Sequence, residues 1–118
     1  MEISIIGSNG LLSESIARYC NKNGIKPIII GRSRPKRYNF KSFHSIDLLT
    51  NEIQYEKICK SHLIIYAAGA GIQSNLKENP DVIYDLNVSI PVRICHKLNS
   101  NKFDGVFVSF GSYFEIGE

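Results

Sequence analysis

The sequence predicts an α/β fold: one domain of 118 residues built as a three-layer, doubly wound parallel sheet with strand order 3-2-1-4-5. Three observations carry that expectation. Apolar runs of strand length alternate with segments of helical period, the pattern that places crossover helices between parallel strands. Ile28-Ile29-Ile30 is an unbroken β-branched run, suited to a strand buried on both faces. The chain also passes from Ile5-Ile6 through Gly7 and Gly10 into a helical pattern, the tight turn that such sheets place at their ligand edge. Right-handed crossovers then give the strand order.

Glu2 to Ile6 is the first expected strand. Leu12, Ile16, Tyr19 and Cys20 recur at helical spacing and predict a helix buried along that face, closed by Asn23-Gly24 as a left-handed cap. Pro27 precedes the second strand, whose C-terminal end leads into Gly31-Arg32-Ser33-Arg34. Pro35 to Lys41 is polar and weakly patterned, hence a loop, and Phe43 to Asp47 is expected as a brief third strand. Thr50 is placed to cap a helix containing Ile53 and Ile58, with Lys57 and Lys60 near its end. Leu63 to Ala68 follows as the fourth strand and runs into Gly69-Ala70-Gly71. Asn79-Pro80-Asp81 joins a cap residue, a first-turn proline and an acid, and Ile83, Leu86, Ile90, Ile94 and Leu98 then form one apolar stripe. Pro91 lies inside that helix and cannot donate to the carbonyl of Asn87, which predicts a kink and a freed acceptor. Gly105 to Phe110 is the last expected strand.

Composition narrows the function classes. No apolar run approaches the roughly 18 residues of a membrane span, and the N-terminus enters a strand without a basic segment and cleavage site. A cytoplasmic location without a membrane partner is expected. Cys20, Cys59 and Cys95 are odd in number and far apart, so they read as reduced thiols rather than a disulfide or zinc framework. His44, His62 and His96 show no ligand spacing, and no metal is expected. The net charge is +3, and Arg32, Arg34, Lys36, Arg37 and Lys41 place five of the fourteen basic residues in one segment. Without a recognition helix or a basic-aromatic platform, that segment reads as a solvated loop rather than a nucleic-acid surface.

The loop Gly7-Ser8-Asn9-Gly10-Leu11-Leu12-Ser13 has the chemistry of a pyrophosphate cradle. Gly7 supplies the freedom of the turn, Gly10 lacks the Cβ that would hold a phosphate away, and the unpaired N–H groups of the following helix face the anion. Ser13 takes the third position of the G-x-x-G-x-x-G spacing and still permits close packing of helix on strand. Four further stretches join it: Asp47 in Ser-Ile-Asp-Leu, Tyr66-Ala67-Ala68-Gly69, Asn87 in Asp-Leu-Asn-Val, and Val106-Phe107-Val108-Ser109-Phe110-Gly111-Ser112. Together they resemble the N-terminal portion of the short-chain dehydrogenase/reductase superfamily, in particular its extended NAD-dependent epimerase/dehydratase branch. The resemblance spans essentially the whole chain and implies a Rossmann-type fold, with residues 1–118 forming a single, partial NAD(P)-binding domain. It implies that Gly7, Ser8, Asn9, Gly10, Leu11 and Leu12 hold the cofactor, that Asp47 is directed at the adenine, and that Ala68 and Gly69 run beside the dinucleotide. It further implies that Asn87 stands near the nicotinamide, and that Ser112, or alternatively Ser109, is the catalytic serine.

NAD-preferring members of the family carry an acid at the end of the second strand, where it accepts from the ribose hydroxyls. Gly31 holds that place here, followed by Arg32 and Arg34, whose guanidinium groups suit a 2′-phosphate. NADP(H) is therefore expected over NAD(H). The family's catalytic tyrosine and lysine, four residues apart, are missing: Tyr19, Tyr38, Tyr55, Tyr66, Tyr84 and Tyr113 are followed four residues on by Asn23, Ser42, Cys59, Ala70, Val88 and Gly117. The expectation is a truncated cofactor-binding portion of an oxidoreductase, epimerase or dehydratase acting on a nucleotide sugar, inactive alone. A nucleotide-binding regulatory module without chemistry is the competing expectation. Truncation would leave Val106-Phe107-Val108 as an edge strand open to self-association.

Overall fold

Alternate residues of the central strands face opposite sides of the sheet, and both sides are covered. The computed structural model describes residues 1–68 and 80–110. Strands β1 (Ile3–Ile6), β2 (Ile28–Gly31), β3 (Ser42–Ser45), β4 (Leu63–Tyr66) and β5 (Val106–Ser109) form one parallel sheet in the order β3-β2-β1-β4-β5, as expected. Ile5 lies in register with Ile29 on one side and Ile65 on the other. These three isoleucines, with Ile3, pack against Ala17 and Cys20 of helix α1 (Leu11–Lys22). Ile6, Ile28, Ile30 and Ile64 point the other way, onto Ile90, Ile94 and Leu98 of helix α3 (Ile90–Ser100). Each fully buried isoleucine contributes roughly 1.5–3 kcal/mol over an exposed one, so this doubly covered sheet is the main source of stability. Ser4, buried on the α3 side, meets Ser61 with its hydroxyls 2.6 Å apart, which satisfies both.

The buried face of α1 differs from the expected one. Ser13, Ala17 and Cys20 are buried and Ile16 partly so, whereas Leu12 and Tyr19 stand in solvent. The glycine turn lays the start of α1 directly on the sheet, and the small side chains take that contact. Its end is as expected: Gly24 has φ 75°, and the N–H of Ile25 reaches the carbonyl of Cys20 at 2.9 Å.

No helix forms at Thr50. Asp47 leaves the sheet two residues after β3 and closes a turn. Its carbonyl accepts the N–H groups of Thr50 and Asn51, and its Oδ1 accepts that of Leu49 at 3.0 Å. The Thr50 hydroxyl donates locally to the Asp47 carbonyl and Asn51 Oδ1 rather than capping a following turn. A single 3₁₀ turn, Tyr55–Lys57, remains, yet Ile53 and Ile58 are buried. Their apolar spacing was legible, but their backbone state was not. The short turn leaves a hollow of about 500 Å3 between β3 and residues 51–57. β3, β4 and β5 also end one or two residues before the expected limits, because the chain peels away at the sheet's C-terminal edge.

The described part of the long helical run begins at Pro80, with the expected cap Asn79 outside the described residues, and changes pitch before Pro91. Helix α2 (Pro80–Tyr84) passes into a π-helical turn, Asp85–Ser89, and then into α3. The N–H of Ile90 reaches back five residues to the carbonyl of Asp85. Pro91 has no N–H to offer and that of Ile90 is taken by Asp85, so the carbonyl of Leu86 is left without a helical donor. The hydroxyl of Tyr66, at the end of β4, donates to it at 2.6 Å. Tyr66 is only 2% exposed, and burial pushes its phenol well above the ordinary range.

Tyr66→Phe is expected to lower stability in chemical denaturation by about 1 kcal/mol, the cost of losing the bond to a partly buried carbonyl. In a Pro91→Ala background, which supplies a backbone donor, the same substitution is expected to cost less. Equal costs in both backgrounds would show that the hydroxyl does not serve the acceptor freed by the proline.

Candidate functional site

The C-terminal ends of β1, β2 and β4 frame a cleft of about 360 Å3. Its floor is the turn from β1 to α1, where the two glycines stand in different surroundings. Gly7 has φ 125°, a conformation closed to ordinary side chains, and a Cβ there would lie 3.1 Å from the carbonyl of Ala67. Its N–H is tied to the carbonyl of Ile30 at 2.6 Å. Gly10, with φ −75° and ψ 163°, adopts a backbone open to any residue. A Cβ at Gly10 would meet within 4 Å only Ser13 Oγ, at 3.7 Å. Neither its backbone nor its described neighbours therefore require a glycine at position 10. No side chain caps the first turn of α1, which leaves its backbone to carry the partial positive charge of a helix start.

The loop after β2 is clamped to this floor. Tyr38 donates its hydroxyl to the carbonyl of Ser8 at 2.6 Å, and its phenol is pushed up to about 12 by burial and by the nearby Glu14 carboxylate. Asn9 Nδ2 donates to the carbonyls of Ser33 and Arg34 at 3.2 and 3.3 Å. Gly31, Arg32 and Ser33 form one wall of the cleft; Asp47, Leu48 and Leu49 continue it; and Ala67, Ala68 and Leu86 stand opposite. Small residues at Ala67 and Ala68 leave room for a flat group to lie along the end of β4. The Tyr66 hydroxyl fixes Leu86 against that wall.

The match to known proteins follows the same geometry. Residues 3–118 match the profile of the NAD dependent epimerase/dehydratase family. The chain belongs to this family. Among solved structures, a Bacillus halodurans protein assigned to the NAD-dependent epimerases/dehydratases aligns with a TM-score of 0.69 at 12% identity, over 90% of this chain and 49% of its own. A UDP-galactose 4-epimerase aligns with a TM-score of 0.69 at 17% identity, over 91% of this chain and 37% of its own. An L-threonine dehydrogenase from Cupriavidus necator aligns with a TM-score of 0.67 at 16% identity, over 91% and 36%. At these identities the likeness establishes the fold, and the chain spans between about a third and a half of the length of those proteins. A comparison with curated proteins finds no match.

Within this epimerase/dehydratase-family chain, the structure brings Gly7, Ser8, Gly10, Arg32, Asp47 and Ala68 together around the cleft. Asn9 serves the loop clamp instead. Leu11 and Leu12 are exposed on the first turn of α1, outside the cleft lining. Arg34 is also outside it: its guanidinium lies 5.0 Å from the centre of the Phe40 ring. Asn87 sits in the π turn beside Leu86. Gly69 and Ser112 lie outside the described residues. Among the described residues, no group of three or more His, Cys, Asp or Glu side chains is arranged to hold a metal, and no helix is long and apolar enough to cross a membrane. Sequence reasoning missed Tyr38, whose loop has no periodicity to read. Leu86, expected in the core stripe, does pack partly buried against that core, and it lines the cleft as well.

The two glycines should separate in the laboratory. Gly7→Ala is expected to destabilise the fold by about 1–3 kcal/mol, through backbone strain. Gly10→Ala is expected to melt with the parent protein yet bind NAD(P) about tenfold more weakly, the loss of roughly one close contact. Comparable destabilisation by both substitutions would overturn this division of roles.

Proposed function

We propose that this chain is the NAD(P)-binding portion of a short-chain-type oxidoreductase, epimerase or dehydratase acting on a nucleotide sugar, and that it takes NADP(H) in preference to NAD(H). The observation that carries the reading is the cleft at the C-terminal edge of the sheet, floored by the Gly7–Gly10 turn beside an uncapped helix start that favours an anion. In this reading the Gly7–Gly10 backbone and the first turn of α1, with Leu11 and Leu12, take the pyrophosphate. Asp47 lies at the adenine end, while Ala68, Gly69 and Asn87 flank the path to the nicotinamide. When bound, the dinucleotide supplies hydride exchange with the substrate, and Ser112 orients the reacting hydroxyl or carbonyl. The nucleotide-sugar assignment follows the resemblance to the extended branch of the superfamily. No tyrosine in the sequence is followed four residues on by lysine, so the proposal for this chain alone is binding without turnover.

The NADP(H) preference rests on Arg32, which lines the cleft next to Gly31 while Arg34 is engaged with Phe40. A charge-assisted bond from a guanidinium to a phosphate is worth about 1.5–3 kcal/mol, or about ten- to a hundredfold in affinity. Calorimetry is expected to show NADP(H) binding tighter by about that factor, with Arg32→Ala removing the difference and sparing NAD(H). Equal affinities untouched by the substitution would sink the preference. Measurable turnover of nucleotide sugars with NADPH by this chain would sink the inactivity.

A cytoplasmic setting belongs to the same reading, in keeping with three free cysteines. So does self-association through β5. Val106 is 58% exposed, and among the described residues no strand pairs with the outer edge of β5. Light scattering is expected to show concentration-dependent association that Val106→Lys reduces; a monodisperse monomer throughout would exclude it.

A further inference from the structure

Gly31 is a glycine without a backbone reason. It is the last residue of β2, paired with Ser45, and its φ is not positive. A Cβ at this position would nevertheless fall 2.5 Å from Ser8 Oγ, 2.7 Å from Ser8 Cβ and 3.0 Å from the Ser8 nitrogen. Rotating the serine hydroxyl relieves only the first of these contacts, because Cβ and nitrogen move with the backbone. That backbone is held on both sides. The N–H of Gly7 is bound to Ile30, the carbonyl of Ser8 accepts from Tyr38, and Asn9 is bound to the loop after β2. Ser8 is 7% exposed and fills the volume that a side chain at position 31 would require.

We propose that Ser8 is a specificity-determining residue: its side chain excludes any side chain from position 31, and with it the carboxylate that would accept from the hydroxyls of a dinucleotide ribose. The end of β2 is thereby kept bare, and Arg32 is left as the charged group on that wall, facing a cleft whose other ionisable lining residue is Asp47. Choice of cofactor then depends on two residues in contact across the glycine loop, one of which need not touch the ligand. This inference rests on the NAD(P)-binding reading above.

A substitution cycle tests it with two independent readouts. In the first, thermal unfolding is measured without cofactor for the parent, Gly31→Ala, Ser8→Gly and the double variant. Gly31→Ala is expected to lower the melting temperature, and most of that loss is expected to disappear when position 8 is glycine. A Gly31→Ala protein that melts with the parent, or a loss that is the same in both backgrounds, overturns the steric coupling whatever the cleft binds. In the second, calorimetry compares NAD+ and NADP+ on the parent and on Ser8→Gly/Gly31→Asp. The double variant is expected to shift the affinity ratio toward NAD+ by about tenfold or more, the worth of one charge-assisted hydrogen bond gained. A double variant that folds and binds with the parental ratio overturns the specificity role. A parent that binds neither dinucleotide overturns the NAD(P)-binding reading and the specificity role with it, while the melting cycle still decides the coupling.

Discussion

The structure depends on one close approach: the peptide at Gly7 is wedged between the ends of β2 and β4. Its N–H is bound to Ile30, and its Cα faces the carbonyl of Ala67 at a distance that leaves no room for a side chain. That contact brings three strand ends level, starts α1 flat against the sheet and opens the cleft above. The rest of the site is built around it. Ser13 and Ala17 are small because the helix arrives so close, and Tyr38 and Asn9 hold the following loop to the same floor. A dinucleotide site in this family needs a rigid backbone surface for the pyrophosphate, and rigidity comes here from bonds between segments that are distant in sequence.

Much of the fold was legible because its signals are local. Strands made of isoleucine runs, buried on both faces, and the proline-led start of the long helix are each specified by a few neighbouring residues, and crossover handedness supplies the strand order. The failures have separate causes. Thr50, Ile53 and Ile58 invite a helix, but the turn that Asp47 closes leads only to a single 3₁₀ turn at Tyr55–Lys57. Leu12 and Tyr19 lie on the more apolar face of α1 but are turned out, since the glycine loop gives the inner face to smaller groups. At α1 the close approach of the sheet overruled the local pattern, whereas at Thr50 the competitor is itself a local turn.

The candidate site divides in the same way. Gly7, Gly10 and Asp47 were readable as positions at strand ends, and they line the cleft. Arg32 and Arg34 are indistinguishable in sequence, yet only the first does so, since the second has an aromatic ring to lie on. Charge counting finds the basic loop, while the partners of each guanidinium decide which charge the cleft sees.

The bond between Tyr66 and Leu86 has a consequence for descent. The phenol answers a vacancy that exists only because position 91 is proline and the turn before it is widened. The two positions therefore behave as one inherited character, and the order of change matters. A lineage that first replaced the proline would regain a backbone donor, after which the hydroxyl at 66 could be lost without harm. A lineage that lost the hydroxyl first would leave a partly buried carbonyl in the wall of its own cleft without its partner. Of the two routes between the same endpoints, only the one through position 91 is smooth.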